Sequence, residues 1–499
     1  MIKAILQTIY NTLSSKKFFY VVVGILVIQA AWFALTAQYP MAFDENYHFG
    51  IIQIFSHQLS PFITNIPANS AVYGEITRFD SYLYHYLMSF PYRLIAIFIH
   101  DQTPQIIILR FLNIAIFIGG MFLFRNLFKR LNISNGLTNF SLLMLVLIPV
   151  VPFLAATISY DNLIFLLVPL ITILTLDCRD EIVKYNRIPS TSFILLLIVG
   201  MLGSLVKYPF LPIFAATIIY LLIIFIRTPS KIKLLRTIVK SFNSSKKWVK
   251  VIIIISLVIS SGLFAERYGE NLVQYHSLEP DCGRIQSVDY CIQFGPWGRN
   301  YGIAADVAAT NPTFDPPIYL FVPYWFGNMA YRLYFAINYD YYSELPLPIP
   351  IAIASIICIG GLILWLLYQR VIIRTDRRLL LFLAIILLYV GAIFYTNLTS
   401  YLQYRTMLAV NGRYLIVILP LFFVLIGLAY RSLINNKFKN NAKLSKTFFS
   451  FIIILFILQG GGALTHLVRS QPNWYWQNKP VVDFNTNLKN IISPLIIGS

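Results

Sequence analysis

Apolar residues fall in long blocks along this chain, separated by shorter polar stretches, rather than alternating at the two-residue period of a strand. Eleven blocks read as membrane spans, near residues 18–37, 105–124, 138–156, 162–176, 191–206, 209–226, 249–265, 349–368, 379–396, 414–430 and 449–468. A bilayer core about 30 Å thick is crossed by roughly 20 apolar residues in a helix. Only helices and closed barrels satisfy every backbone polar group there. The blocks are too long for barrel strands, so the pattern predicts an all-α, polytopic membrane protein. The block Ser81 to His100 is also apolar but carries His85, Pro91 and Arg93. It reads as a helix on the outer surface with one apolar face, and the count of eleven rests on that placement. The first block is long enough to span, so no cleavable signal peptide is expected.

The polar intervals set the organisation: a single membrane domain over 1–499 with outer elaborations at 38–104, 266–348 and 469–499. Inner connections are short and basic. No internal repeat is visible, which counts against an inverted-repeat transporter.

Composition agrees. The chain is 58% hydrophobic and 12% charged, with a mean hydropathy of +0.70. Soluble domains carry roughly 25% charged residues. A net charge of +19 first suggests a nucleic-acid partner, but its distribution argues otherwise. With the N-terminus inside, inner segments hold 26 of the 39 Lys and Arg and only 4 of the 20 Asp and Glu. The strongest inner run, Arg227 to Lys250, has eight basic residues. This is the positive-inside bias of a multi-pass protein, with its basic loops against anionic headgroups. It places the N-terminus in the cytoplasm and removes nucleic acid as a partner. No Gly-rich nucleotide loop lies on the inner side, so any chemistry belongs to the outer face. Of four cysteines, Cys178 and Cys358 fall at or within spans. Cys282 and Cys291 share the large outer loop, where an oxidising compartment predicts a disulfide.

Ionisable residues near hydrocarbon are costly and mark sites. Asp44, Glu45 and His48 follow the first span. Asp44 and His48 are four apart and would share one helix face. A carboxylate there suits general-base work; the plainer reading is a helix cap favoured by the dipole. Asp161, in the turn Tyr160-Asp161-Asn162, is either a cap or a site residue. Lys207 joins the fifth and sixth spans, either snorkelling to water or holding a lipid phosphate. Arg413, followed by Tyr414, opens the tenth span. Arginine at a helix N-terminus wants an anion, either a phosphate or an outer carboxylate. Tyr319, Tyr324, Trp325, Phe326, Tyr331, Tyr334, Tyr339, Tyr341 and Tyr342 read mainly as an interfacial aromatic belt.

These motifs resemble the GT-C superfamily of membrane glycosyltransferases. Like the protein O-mannosyltransferases and aminoarabinose transferases, the chain has Asp44-Glu45 in its first outer loop. The Ser81–His100 helix follows, then a span opening with Leu109-Arg110-Phe111-Leu112-Asn113, and Lys207 after the fifth span. It is also similar to an allied family of bacterial membrane proteins of unassigned function. The matching segments are Asp44-Glu45-Asn46-Tyr47-His48, Tyr160-Asp161-Asn162, Arg267-Tyr268-Gly269, the Cys282/Cys291 pair and Gly412-Arg413-Tyr414. Phe43 departs from the pattern, since proline often precedes the acidic pair. The large soluble domain of oligosaccharyltransferases is missing.

The resemblance implies inverting transfer of a sugar from a polyprenyl-phosphate donor to an acceptor hydroxyl on a glycan, protein or lipid, at the outer face of the cell membrane. Asp44 would be the base, with Glu45 and His48 orienting it or the acceptor. Asp161 would be a second acidic residue, and Lys207, Arg413 and Tyr414 would hold the leaving phosphate. No cofactor is required; a divalent ion, held by Asp44 and Asp161, is compatible. A flippase or a polymerase of lipid-linked sugars is the competing reading. A transport path needs polar groups deep within the spans, which are almost free of charge. If the transferase reading holds, Asp44, Asp161, Lys207 and Arg413 should converge.

Overall fold

The computed structural model describes residues 8, 11–63, 65–228, 246–334, 336–338, 344–346, 349–437 and 461–495. The first half runs through α1 (Phe18–Thr36), α2 (Glu45–Ser56), α3 (Leu83–Phe98), α4 (Gln102–Arg130), α5 (Asn135–Leu147), α6 (Val150–Ala156), α7 (Tyr160–Tyr185), α8 (Ser190–Val206) and α9 (Phe210–Arg227). Then come α10 (Lys247–Tyr275), α11 (Gly295–Thr310), α12 (Phe321–Tyr334), α13 (Ile349–Gln369) and α14 (Leu380–Tyr404). The last are α15 (Leu419–Lys437), α16 (Ala463–Arg469) and α17 (Lys479–Ile492). One short antiparallel ribbon, Ala336–Asn338 with Glu344–Pro346, interrupts the helices of the described residues.

Seven helices among the described residues are long and apolar enough to cross a membrane: α1, α4, α7, α9, α10, and α14 and α15 each with the turn before it. The chain is therefore a helical, multi-pass membrane protein, and eleven spans is a finer count than these helices provide. Several blocks account for the difference. The block 138–156 is broken into α5 and α6, bent by 78°, and counts as an eighth span only if the pair is taken together. Pro149 sits at that break, and a proline disfavours helix at the residue before it. α8 has only 17 residues. Of the block 449–468, residues 449–460 lie outside the described residues.

α3 has 16 residues. Its inward face carries Tyr84, His85, Met88 and Tyr92, while Leu87, Phe90, Leu94, Ile97 and Phe98 are exposed. The exposed face is thus the apolar one, which suits a neighbour of hydrocarbon rather than water.

The packing centre is α4 against α7, where Phe117 stacks on Phe165 with ring centroids 3.9 Å apart. Polar links tie the segment before α3 to α10. Arg267, in a π-helical turn of α10, donates to the Phe79 carbonyl at 2.6 Å and lies over the Tyr82 ring. Arg78 bridges to Glu266 and Glu270 of the same helix at 2.9 and 3.2 Å. Cys282 and Cys291 form a disulfide. Shortly after it, Phe294 packs edge-on against Tyr47 of α2, 4.7 Å between centroids. The C-terminal tail pairs with the end of α1: the Trp476 amide donates to the Thr36 carbonyl and the Gln38 amide to the Trp474 carbonyl, both at 2.9 Å.

Candidate functional site

Phe43 and Asp44 both take left-handed backbone conformations, φ 73° and 69°. This is rare for L-residues, and for a bulky one such as Phe it marks a constrained site. Proline is locked near φ −65°, so it is excluded at position 43 by this backbone. The departure from the resembled motif has a physical reason here. The twist aims the Phe43 ring at Arg413, whose guanidinium carbon lies 4.7 Å from the ring centroid. Asp44 occupies the cap position of α2 but makes no capping bond with its side chain. Its carboxylate instead accepts from Arg413 Nη2 at 2.7 Å.

Glu45 turns the other way. It is fully buried and accepts from both Nε (2.8 Å) and Nη2 (2.7 Å) of Arg110, a side-on fork. It also accepts from the Met41 amide at 2.7 Å and the Ile158 amide at 3.3 Å. Arg110 in addition donates to the Ala37 carbonyl at 2.7 Å, and Trp476 from the tail covers it. Glu45 is thus a lock between α2, α4 and the turn before α7. The adjacent acids, read together from sequence, have separate roles.

The His48 amide donates to the Asp44 carbonyl at 3.0 Å, while its ring turns to α3. Its Nδ1 meets His85 Nε2 of α3 at 2.8 Å, one ring donating and the other accepting. Burial pushes the His48 imidazole down to about 3, helped by nearby Arg413 and Lys207 and opposed by Asp44. His85 is held low chiefly by burial. Both rings are therefore neutral at pH 7. The unfolded chain would bind protons near pH 6.5, so this pair's contribution is complete above that pH and lost as pH falls toward 3. Thermal unfolding in detergent should accordingly weaken between pH 7 and 5, with a shallower slope in His85→Asn; an unchanged slope would remove the pair as the cause.

Asp161 stands in the first turn of α7, but the cap is Ser159, whose hydroxyl accepts from the Asp161 amide at 3.3 Å. That frees the Asp161 carboxylate to pair with Lys207, at the C-terminal end of α8. The turn is clamped by Asn162, which donates to the Thr157 carbonyl at 3.0 Å and to Asn113 Oδ1 at 3.1 Å. Asn113 also accepts from the Tyr84 hydroxyl at 2.8 Å. Lys207 is buried, so it does not snorkel. Its Nζ lies 4.4 Å from the Tyr160 ring centroid and 4.8 Å from that of Tyr414.

Tyr414 joins the two ion pairs, because the Arg413 guanidinium carbon lies 5.2 Å from the same ring. Tyr389 of α14 donates to the Tyr414 carbonyl at 2.9 Å. Gly412 is required by close approach: a β-carbon there would stand 2.6 Å from the Leu333 backbone nitrogen of α12. The structure therefore brings Asp44, Asp161, Lys207, Arg413 and Tyr414 together, and sets Glu45 and His48 behind them.

Sequence reasoning did not single out Phe43, Arg110, Asn113, Tyr160, His85 or Tyr389 for this cluster. Arg110 and His85 stood inside quoted motifs, but nothing in the sequence paired them with Glu45 and His48. Of the aromatics read from sequence as a belt, Trp325 is buried and donates to Asn397 Oδ1 at 2.9 Å, Tyr334 is buried, and Tyr331 is half-buried. Tyr319, Tyr324 and Phe326 are exposed. Tyr339, Tyr341 and Tyr342 lie outside the described residues. Asp44 and Asp161 each face a cation, and no group of three metal-ligating side chains occurs among the described residues.

Comparison of the chain with family models, curated proteins and solved structures gives no match. The functional reading rests on the site itself.

Proposed function

We propose that this chain is a GT-C-like glycosyltransferase of the cell membrane, acting at the outer face on a polyprenyl-phosphate sugar. The observation that carries the reading is the meeting of two carboxylates and two cations, Asp44, Asp161, Lys207 and Arg413, around one tyrosine ring. Such a cluster can remove a proton on one side and stabilise a leaving phosphate on the other. The acceptor oxygen attacks the anomeric carbon from the face opposite the phosphate. A new carbon–oxygen bond forms as the bond to the phosphate oxygen breaks, and that oxygen leaves with the electron pair. The acceptor proton passes to Asp44. Lys207 and Arg413 oppose the charge that develops on the phosphate. Asp161 and the rings of Tyr160 and Tyr414 hold Lys207. Glu45 and the His48–His85 pair position α2, on which Asp44 stands.

The eleven-span arrangement with a cytoplasmic N-terminus belongs to the same reading. Inner basic clusters then face the cytoplasm, and the Cys282–Cys291 disulfide faces the oxidising side. The acceptor is a hydroxyl of a glycan, protein or lipid.

The test is transfer from a pool of radiolabelled polyprenyl-phosphate sugars by purified wild-type protein and Asp44→Asn in parallel. Labelled acceptor or released lipid phosphate with wild type alone supports the transferase and its base. Turnover by both proteins would remove Asp44 from that role. No turnover by either, with the lipid still bound, would favour transport.

A further inference from the structure

Arg110 and Arg413 each meet one member of the adjacent acid pair Asp44-Glu45, and they do so differently. Arg110 presents its Nε and Nη2 edge to both oxygens of Glu45, so that fork is full. Arg413 presents Nη2 of the equivalent edge to one oxygen of Asp44, while its Nε is buried without a hydrogen-bond partner. An unmade bond on a buried charged donor is costly. The Arg413 side chain is 8% exposed and that of Asp44 29%, so Asp44 is the member with room to leave. Across the Tyr414 ring, Asp161 Oδ2 is also buried without a partner. The cluster is neutral but incompletely bonded, and both gaps sit on the charged groups.

We propose that the Arg413 fork is completed by a phosphate group, whose two oxygens take Nε and Nη2 together and displace Asp44 from the guanidinium. This rests on the transferase reading and adds a regulation to it. The resting base is masked by the cation that later serves the donor, and donor binding releases it. Phosphate matches a guanidinium fork by geometry, whereas a single oxygen of Asp44 does not. An Asp44 carboxylate displaced from Arg413 by a bound phosphate is then available to the acceptor proton only when a donor is present.

Farnesyl phosphate in detergent micelles is the probe, with inorganic phosphate as a second arm. Dissociation constants are measured for wild type, Asp44→Asn, Arg413→Lys and the double variant. Asparagine adopts left-handed backbone readily, so Asp44→Asn keeps the local fold, checked by elution and thermal unfolding. Removing the competing carboxylate should tighten farnesyl phosphate binding about tenfold, the worth of one charge-assisted hydrogen bond. Lysine has no fork, so Arg413→Lys should weaken binding and abolish the effect of Asp44→Asn. A fork that serves free phosphate will show the same pattern with inorganic phosphate; one that serves the lipid headgroup will show it with farnesyl phosphate alone. If Asp44→Asn has no effect, or tightens binding equally in the Arg413→Lys background, the displacement is overturned while the phosphate site stands. If wild type and Asp44→Asn both fail to bind either probe, the phosphate site itself fails, and the displacement with it.

Discussion

Arg110→Ala is expected to cost about 3–5 kcal/mol of stability, the loss seen when one partner of a buried ion pair is removed. Glu45 would be left as an uncompensated charge with no exposure. The Met41 and Ile158 amides would still donate to it, but two amide bonds do not replace a guanidinium fork. The damage would spread, because the pair joins α2 and α4 and Arg110 also holds the end of α1 through the Ala37 carbonyl. Replacing both partners by apolar residues of similar volume, Glu45→Leu with Arg110→Met, should recover most of the loss, since no charge then remains buried. Chemical unfolding in detergent, followed by tryptophan fluorescence, measures both. A loss below about 1 kcal/mol for Arg110→Ala, the range of an exposed ion pair, would mean that water reaches Glu45 and that the lock is not closed.

Asp44→Asn is expected to lower turnover by about 10²–10⁴-fold on the transferase reading, the usual contribution of a general base. The same substitution should leave the fold intact, because asparagine tolerates the backbone at φ 69° and its carbonyl oxygen still accepts from Arg413. The prediction is therefore a split: donor affinity improved, and the chemical step lost. Single-turnover measurements with prebound donor separate the two. A fall in turnover that follows donor affinity alone would return Asp44 to a purely structural partner of Arg413.

The charged residues of the cluster illustrate how far sequence reading reached. Asp44, Asp161, Lys207 and Arg413 were legible because an ionisable group beside an apolar block is expensive and needs a reason. Their grouping was not legible, since Asp44 and Arg413 are 369 residues apart. Glu45 looked equivalent to its neighbour. Only the helix axis and the left-handed residue before it send one carboxylate to Arg413 and the other to Arg110. His48 was expected beside Asp44 on one helix face; its amide donates to the Asp44 carbonyl at 3.0 Å, but its ring turns to His85. Asp161 was balanced between cap and site; Ser159 takes the cap and leaves Asp161 for Lys207.

By itself the sequence determined the class of fold, because hydrocarbon admits few ways to satisfy a backbone and apolar block length selects the helix. It also determined where charge had to be explained, and that Cys282 and Cys291 would pair, since both stand close together in one polar interval between apolar blocks. Tertiary structure alone decided which charges neutralise one another and which hydrogen-bonding edge is left open. Those depend on a few ångströms of helix placement and on single backbone angles, as at Phe43 and Asp44, and block patterns carry no record of them. The breaking of the block 138–156 at Pro149 is of the same kind: hydropathy registers how apolar a stretch is, and not whether its axis is straight.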